Sequence, residues 1–231
     1  MARLKSNIVN DVQEEVLKRI NNYHYSSNDI ITELALANEL NVSRTPVREA
    51  LLKLIDLGIL ERTKTKIIVK PISFSDIKEI LELREAIELM CVKLIVKNGG
   101  LSKDELIKLS EINNRLESNV AEGDFSSNFA NDCLFHELMV EYAKNNRLVN
   151  VYARNNIQSE RIKWLTLLTP NRYSETCNEH KKIIQFLSNK DIAGVSKAII
   201  EHIDNSKQNY KAILTDSKWS KILNEFKMVQ S

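Results

Sequence analysis

The sequence predicts a mainly α-helical protein of two domains: a small N-terminal domain with a few short strands and a larger all-helical domain. Its 231 residues exceed one average domain. Only 5 glycines and 3 prolines interrupt the chain, too few for the many turns of a β-sandwich or a barrel. Apolar residues make up 43% of the sequence, which suffices for a hydrophobic core in each domain.

The composition also limits the cellular location of the protein. The sequence contains no apolar run of the roughly 18 residues that a membrane span needs, and its first residues lack a signal-peptide pattern. Its three cysteines, Cys91, Cys133 and Cys177, form no CxxC pair, and an odd number argues against a disulfide framework. We therefore expect a cytoplasmic protein with reduced thiols and no membrane contact.

The first domain is expected to cover residues 1–72. Apolar residues at every fourth position predict one helix, and two shorter helices follow, joined by a tight turn. Two short β-type runs come next, connected by a basic segment, and Pro71 ends the unit. The net charge is only +2, and the first seventy residues hold the whole excess, with 11 Lys and Arg against 9 Asp and Glu. The helices start near Asn7, Thr32 and Ser43, and the strands cover Ile59–Leu60 and Ile67–Val69.

This order of elements is typical of a winged helix-turn-helix, whose second motif helix enters the major groove of DNA. Arginine can bind guanine O6 and N7 with two hydrogen bonds, and lysines of a wing can hold phosphate. The alternative is a small helical domain with a solvated basic face. The candidate DNA-binding residues are Ser43, Arg44, Thr45 and Arg48 of the helix, and Arg62, Lys64 and Lys66 of the wing.

The second domain, residues 73–231, is expected to be a bundle of helices throughout. Ser75 and Ser102 are suitable N-caps, and Gly99, Gly100 and Gly123 are suitable stops. A short C-terminal piece, residues 216–228, is expected to dock or fray. The predicted helices cover residues 75–97, 102–123, 125–144, 147–168, 174–187 and 191–214.

Three histidines and one aspartate of this domain lie on predicted inward faces. Asp132 and His136 are four residues apart and share a helix face, while His180 and His202 each align with apolar residues of their own helices. This set suits Zn²⁺ and would accept Ni²⁺, Mn²⁺ or Fe²⁺. The alternative is three separate structural histidines, each with a backbone or water partner. Cys133 points about 100° away from Asp132 on a helix and is not expected to be a ligand.

The N-terminal residues resemble the GntR family of bacterial transcription regulators. The similarity covers about 60 residues, including Glu33–Ala35, Leu40–Leu51 and Gly58–Arg62. In that family the arginines that match Arg44 and Arg48 contact the operator, so the resemblance implies the same role here. Two departures stand out: Leu34 replaces an arginine that the family often carries, and residues 63–66 replace a glycine-rich wing tip.

The helical domain resembles the FCD effector domain of the FadR subfamily. Residues 81–88 match its first helix, and Glu179-His180 with the following run matches its metal-helix pattern. The resemblance implies that Asp132, His136, His180 and His202 bind a divalent metal, which often helps to hold a small organic acid. Arg84, Arg154 and Arg161 are possible partners of such a carboxylate, although each is individually more typical of a solvent-facing side chain.

These observations lead to the hypothesis of a dimeric, ligand-responsive regulator that binds a two-fold DNA operator and is not an enzyme. The short linker 70–73, stiffened by Pro71, would transmit domain rotation. Two alternatives stay open: a metal sensor, for which the metal itself is the signal, and a metal-dependent hydrolase or oxygenase with an accessory DNA-binding domain.

Overall fold

The computed structural model describes residues 2–22, 24–162, 165, 169 and 171–217. The chain divides into two compact units: residues 2–74 belong to one, together with Asp216 and Ser217, and Ser75–Thr215 forms the other. All strands found in the described part belong to the first unit, and the second is built from helices. The predicted mainly α-helical fold class is therefore confirmed.

The N-terminal unit combines three helices with three short strands in its described part: α1 (Ala2–Asn21), β1 (Ile30–Ile31), α2 (Glu33–Glu39), α3 (Arg44–Asp56), β2 (Leu60–Arg62) and β3 (Ile67–Val69). The strands form one antiparallel sheet in the order β1-β3-β2. Strand β1 was not predicted from the sequence. A two-residue strand is shorter than the four to eight residues that make a readable β pattern, and it forms because Ile30 pairs with Ile68 of β3.

The helix-turn-helix is held by apolar side chains on the inner faces of its helices. Helix α3 buries Val47, Ala50, Leu51 and Leu54, which recur at helical spacing. At its C-terminal end Gly58 adopts a φ of 70°, the left-handed conformation that lets the chain turn into β2. The inner face of α3 therefore packs in the core, and its outer face is exposed to solvent.

The second unit contains six helices in its described part: α4 (Phe74–Lys97), α5 (Lys103–Glu122), α6 (Phe125–Tyr142), α7 (Asn146–Ser159), α8 (Asn171–Ser188) and α9 (Ile192–Thr215). Ser102 and Glu105 form a capping box at the start of α5, and Gly123 ends that helix with a φ of 75°. These two signals were readable from the sequence. They fix the helix that packs against both α6 and α8.

Three helix boundaries differ from prediction by three residues or more. Helix α1 begins at Ala2, five residues before the predicted start near Asn7. Helix α7 ends at Ser159, whereas the predicted helix runs to residue 168; residues 160–162 continue as a tight 3₁₀ turn. Because Ile162 and Leu165 are buried, they extend the apolar pattern past the true end of the helix. Helix α8 begins at Asn171, three residues earlier than predicted, and this places Arg172 on the helix that carries His180. The predicted C-terminal piece lies outside the described residues after Ser217.

None of the described helices is long and apolar enough to cross a membrane.

Candidate metal centre and nucleic-acid interface

Three helices of the second unit bring four potential metal ligands together. Asp132 and His136 lie one turn apart on α6, His180 lies on α8 and His202 lies on α9. Each contributes one nitrogen or oxygen atom to a group whose members all lie within 4.8 Å of one another. The three histidines are buried, and the side chain of Asp132 is 17% exposed. We call these four residues the histidine cluster.

The closest atoms of the histidine cluster are all electron-pair donors. Nε2 of His136 lies 3.1 Å from Nε2 of His180, and Oδ1 of Asp132 lies 3.4 Å from Nε2 of His180 and 3.8 Å from Nε2 of His136. Two atoms that each bind one ion at about 2.1 Å lie roughly 3.0–3.4 Å apart at neighbouring coordination positions. The first two separations match this spacing, and the third is somewhat longer.

The outer nitrogen of His136 is held by a buried acid from another helix. Nδ1 of His136 lies 3.1 Å from Oε2 of Glu88 on α4, and the other oxygen of Glu88 accepts a 2.7 Å hydrogen bond from Nε of Arg84. Burial raises the pKa of Glu88, but the facing His136 and Arg84 outweigh it and hold that pKa at about 2. The ionised carboxylate accepts a hydrogen bond from Nδ1–H, which leaves the lone pair of Nε2 facing the cluster.

His202 is fixed in the same way on the opposite side. Its Nδ1 lies 2.7 Å from Oε2 of Glu179, and Arg172 donates two hydrogen bonds of 2.9 and 2.7 Å to the two oxygens of that carboxylate. Burial raises the pKa of Glu179, and the hydrogen bonds from His202 and Arg172 more than offset this and bring it to about 2. Nε2 of His202 therefore also presents a lone pair to the cluster.

Burial keeps two of the histidines neutral. Desolvation, followed by the positive charges around it, lowers the pKa of His180 well below 6.5. Desolvation also lowers the pKa of His202, although its hydrogen bond with Glu179 acts in the opposite direction. The neutral imidazole is the form of histidine that binds a divalent metal.

The donor atoms that face one another decide whether the residues fit a metal. The imidazole of His180 is fully buried and stacks on Phe135, with ring centroids 3.9 Å apart, and its Nε2 faces Asp132 and His136. Its other nitrogen, Nδ1, has no hydrogen-bond partner in the described part of the chain. Three nitrogen donors and one carboxylate converge here with few hydrogens between them, so the donor set fits a divalent cation better than it fits a closed hydrogen-bond network.

A cavity of about 50 Å³ lies beside the histidine cluster. Asp132 and His202 belong to both the cluster and the cavity wall, so a ligand in the cavity would meet the cluster directly. The guanidinium of Arg84 also reaches this wall, and its Nη2 lies 3.4 Å from Nε2 of His202. Most of the remaining polar wall consists of uncharged hydrogen-bonding groups: Tyr152, Asn156, Ser159, Tyr173, Thr176, Ser206, Asn209 and Tyr210.

The N-terminal unit presents the predicted helix residues outward. Ser43 occupies the N-cap of α3, as its position predicted, but its hydroxyl makes no capping hydrogen bond. Thr45 is exposed, and the side chains of Arg44 and Arg48 are 65% and 64% exposed. Pro46 is buried in the first turn. The start of α3 therefore offers two guanidiniums and two hydroxyls to solvent on one face.

Glu33 of α2 links the two arginines, a feature that sequence reasoning missed. One of its oxygens lies 3.5 Å from Nη2 of Arg44 and the other lies 4.0 Å from Nε of Arg48. At these distances Glu33 biases the arginine side chains toward one orientation without burying them. Its position at the predicted start of the helix, beside Thr32, was readable, but its proximity to α3 depends on the turn between the helices.

The predicted wing is a tight basic turn. Arg62, Lys64 and Lys66 are exposed, and the turn is closed by a 2.9 Å hydrogen bond from the backbone N–H of Thr63 to the carbonyl of Lys66. The hydroxyl of Thr63 accepts a second hydrogen bond, of 3.1 Å, from the Lys66 N–H. A groove of about 540 Å³ runs between this turn, the start of α2 and Arg44.

Two family models match the chain. The model described as "Bacterial regulatory proteins, gntR family" matches residues 8–66, and the model described as "FCD domain" matches residues 79–205. The chain belongs to the GntR family. The two resemblances seen in the sequence are confirmed, and the histidine cluster lies within the FCD domain.

Known proteins agree with this membership along most of the chain. Over 206 residues the chain is 23% identical to YdhC of Bacillus subtilis (strain 168), an uncharacterized HTH-type transcriptional regulator, covering 88% of this chain and 91% of the relative. Over 202 residues it is 25% identical to the gluconate operon transcriptional repressor of the same strain, covering 84% and 81%. The solved structure of E. coli McbR/YncC shares the fold, with a TM-score of 0.72 over 88% of this chain and 97% of that one, at 22% identity.

The GntR-family chain is a bacterial transcription regulator with an effector-binding FCD domain. Its relatives are named as transcriptional regulators, which is consistent with the prediction of a protein that is not an enzyme. In this family the helix-turn-helix domain binds DNA. The outward face of α3 and the basic wing are thus the candidate nucleic-acid interface.

Proposed function

We propose that this GntR-family regulator binds a divalent metal through the histidine cluster, and that a small organic acid bound beside the metal sets its affinity for a two-fold operator. The observation that carries the proposal is the convergence of four ligand atoms within 4.8 Å. Two of the imidazoles are turned toward that point by the buried acids Glu88 and Glu179. Such outer hydrogen bonds fix the tautomer of a ligating histidine and raise its basicity.

The ligands of the metal would be Asp132, His136, His180 and His202, with Zn²⁺ the expected ion and Ni²⁺, Mn²⁺ or Fe²⁺ as alternatives. When bound, the metal supplies a Lewis-acid centre for carboxylate and hydroxyl oxygens. The chain's own side chains orient the ligand from the other sides.

A small organic acid is the effector class that the cavity wall favours. Arg84 lines the cavity, and its guanidinium can donate to a carboxylate through the N–H groups that Glu88 and His202 do not engage. Tyrosine, serine, threonine and asparagine side chains around it match the hydroxyl groups of a sugar acid or hydroxy acid. The relative that represses a gluconate operon is consistent with this class.

The proposed operator contacts divide into two kinds. Arg44, Thr45 and Arg48 of α3 read base edges, with Ser43 close to the phosphate backbone. Arg62, Lys64 and Lys66 hold phosphates from the wing.

A homodimer would place two such surfaces on two half-sites. On α4 the apolar side chains of Leu83 and Met90, seven residues apart on one helix face, are 43% and 45% exposed and offer a second copy a contact face. A regulator bound to chromosomal DNA works in the cytoplasm.

Two measurements on the full chain test the proposal. Elemental analysis and native mass spectrometry of the purified wild type should report about one metal ion per chain and a dimer, and the His180→Ala variant should lose the metal. Fluorescence anisotropy with a selected operator should then show affinity that depends on an added hydroxy acid, and by linkage the acid must bind the DNA complex with affinity changed by the same factor. Unchanged metal content in His180→Ala would refute the metal site. An operator affinity that follows free metal at constant acid would instead make the metal the signal.

A further inference from the structure

An apolar strip lies inside the basic groove of the N-terminal unit. Ile30 of β1 is 48% exposed and Leu34 of α2 is 56% exposed, the highest value among the large apolar side chains in the described part of the chain. Both line the groove of about 540 Å³ together with Arg44 and the wing. A single exposed leucine needs no explanation, but two large apolar side chains in one groove define a surface.

The fold of the N-terminal unit does not require an apolar side chain at Leu34. The core-facing side of α2 is supplied by Leu36 and Ala37, which are buried, and the helix is capped by the hydroxyl of Thr32. Leu34 points away from that core and into the groove. A polar residue at this position would serve α2 equally well, so the reason for a leucine is expected on the side of a partner.

The charges around the groove indicate what kind of partner binds there. Arg44, Arg62, Lys64 and Lys66 line it against the one carboxylate of Glu33, so the occupant carries negative charge. The same groove contains the start of α3 and the whole wing, which are the two elements of the proposed operator contact. Double-stranded DNA is therefore the occupant that fits both the charge and the position.

We propose that Leu34, with Ile30 in the same groove, contacts thymine C5-methyl groups of the operator and is a specificity determinant of this regulator. The inference depends on the proposed operator contact by α3. The thymine methyl is the one apolar group on the base edges of the major groove, and apolar side chains recognise it there. A contact with the apolar part of deoxyribose would carry no sequence information. Changing only the bases therefore distinguishes it from a contact with the thymine methyl group.

The experiment first selects an operator from a random duplex pool with the full-length wild type. Each thymine of the selected duplex is then replaced by deoxyuridine, which removes one methyl group and leaves every hydrogen-bonding atom in place. The wild type should lose affinity about fourfold for each methyl group that it buries, the factor expected from burying one methyl-sized apolar group. A symmetric replacement in both half-sites should cost the square of that factor.

Leu34→Ala is the decisive variant, and Ile107→Ala, which shortens a 45% exposed side chain on α5, is its matched control. Leu34→Ala should bind the thymine and deoxyuridine duplexes equally at one symmetric pair of positions, whereas Ile107→Ala should keep the wild-type difference. Alanine favours the helical conformation, so the variant is expected to fold. An unchanged circular dichroism spectrum verifies this.

The failures are distinguishable. If the chain selects an operator but Leu34→Ala retains the full methyl preference at every position, the strip does not read thymine. A wild type with no methyl-sensitive position, or a Leu34→Ala variant that changes oligomeric state without changing DNA affinity, also overturns the inference, the latter in favour of a contact between copies. If no sequence is selected at all, the operator contact of α3 fails first.

Discussion

Replacing His180 by leucine separates what the fold needs from what a metal site needs. In the metal-free protein, Nδ1 of His180 is buried and without a partner in the described part of the chain. Leaving such an atom unsatisfied costs about 1–3 kcal/mol. A leucine of similar size removes that cost, but it gives up the stacking on Phe135, worth about 0.5–1.5 kcal/mol, and it leaves Nε2 of His136 without its partner at 3.1 Å.

These contributions roughly cancel, so the free energy of unfolding of the metal-free effector domain is expected to change by no more than about 1 kcal/mol. For a unit of this size that limits the change in Tm to about 2–4 °C. Metal then separates the two proteins. At a free metal concentration one hundred times its Kd, binding adds about 2.7 kcal/mol to the wild type and nothing to a variant that cannot bind.

Differential scanning calorimetry of the full chain measures both arms, once with a chelator and once with excess Zn²⁺, Ni²⁺, Mn²⁺ or Fe²⁺. His24→Leu, which replaces an exposed histidine of the other unit, controls for a general effect of the substitution. The reasoning is refuted if His180→Leu destabilises the protein in chelator by much more than about 1 kcal/mol. It is equally refuted if none of the four ions raises the wild-type transition.

Three further predictions address the supporting residues, the DNA contact and pH. Glu179→Gln should weaken metal binding about 10–100-fold, since the Nδ1 proton of His202 loses its anionic acceptor; a competition titration against a chromophoric chelator measures this. Arg48→Ala should cost about 1–3 kcal/mol of operator binding and relax sequence preference, whereas Lys64→Ala should weaken all DNA alike and reduce the salt slope by about 1, both read by anisotropy at several salt concentrations. In metal-free protein the lowered pKa values of His180 and His202 mean that the unfolded chain binds protons first as the pH falls. The Tm should therefore be highest above pH 7 and fall from pH 7 to 5.5, through the ordinary histidine pKa of 6.5; a flat Tm over this window would contradict the assignment.

The histidine cluster illustrates how far sequence reasoning reaches. Asp132 and His136 share a helix face by spacing alone, so their proximity follows from local geometry. His180 and His202 could be assigned to inward faces of their helices, but only the packing of α6, α8 and α9 brings them within 4.8 Å of the others. The resemblance to the FCD domain implied that these residues share one site.

The acids behind the histidines were missed for a physical reason. Glu88 is fully buried and Glu179 is 9% exposed, yet charged residues on a helix are read as solvent-facing by default. A usable signal was present for Glu88, which falls among the apolar positions of α4 between Ile87 and Cys91. For Glu179 the signal would have been a pairing with Arg172 on the same helix. The predicted start of α8 was too late, so Arg172 was not assigned to that helix.

Both candidate sites use the same arrangement, a carboxylate that orients one or two basic groups. Glu33 lies between the arginines of α3, and Glu88 and Glu179 each join an arginine to a histidine of the cluster. In each case the acid fixes the geometry of a binding group. The net charge of +2 gave no indication of a DNA-binding protein, because the sum over the whole chain hides the local excess of basic side chains in the groove. The same arrangement predicts where selectivity resides: a basic group that an acid holds in one orientation discriminates by the direction of its hydrogen bonds, whereas the lysines of the wing attract any DNA alike.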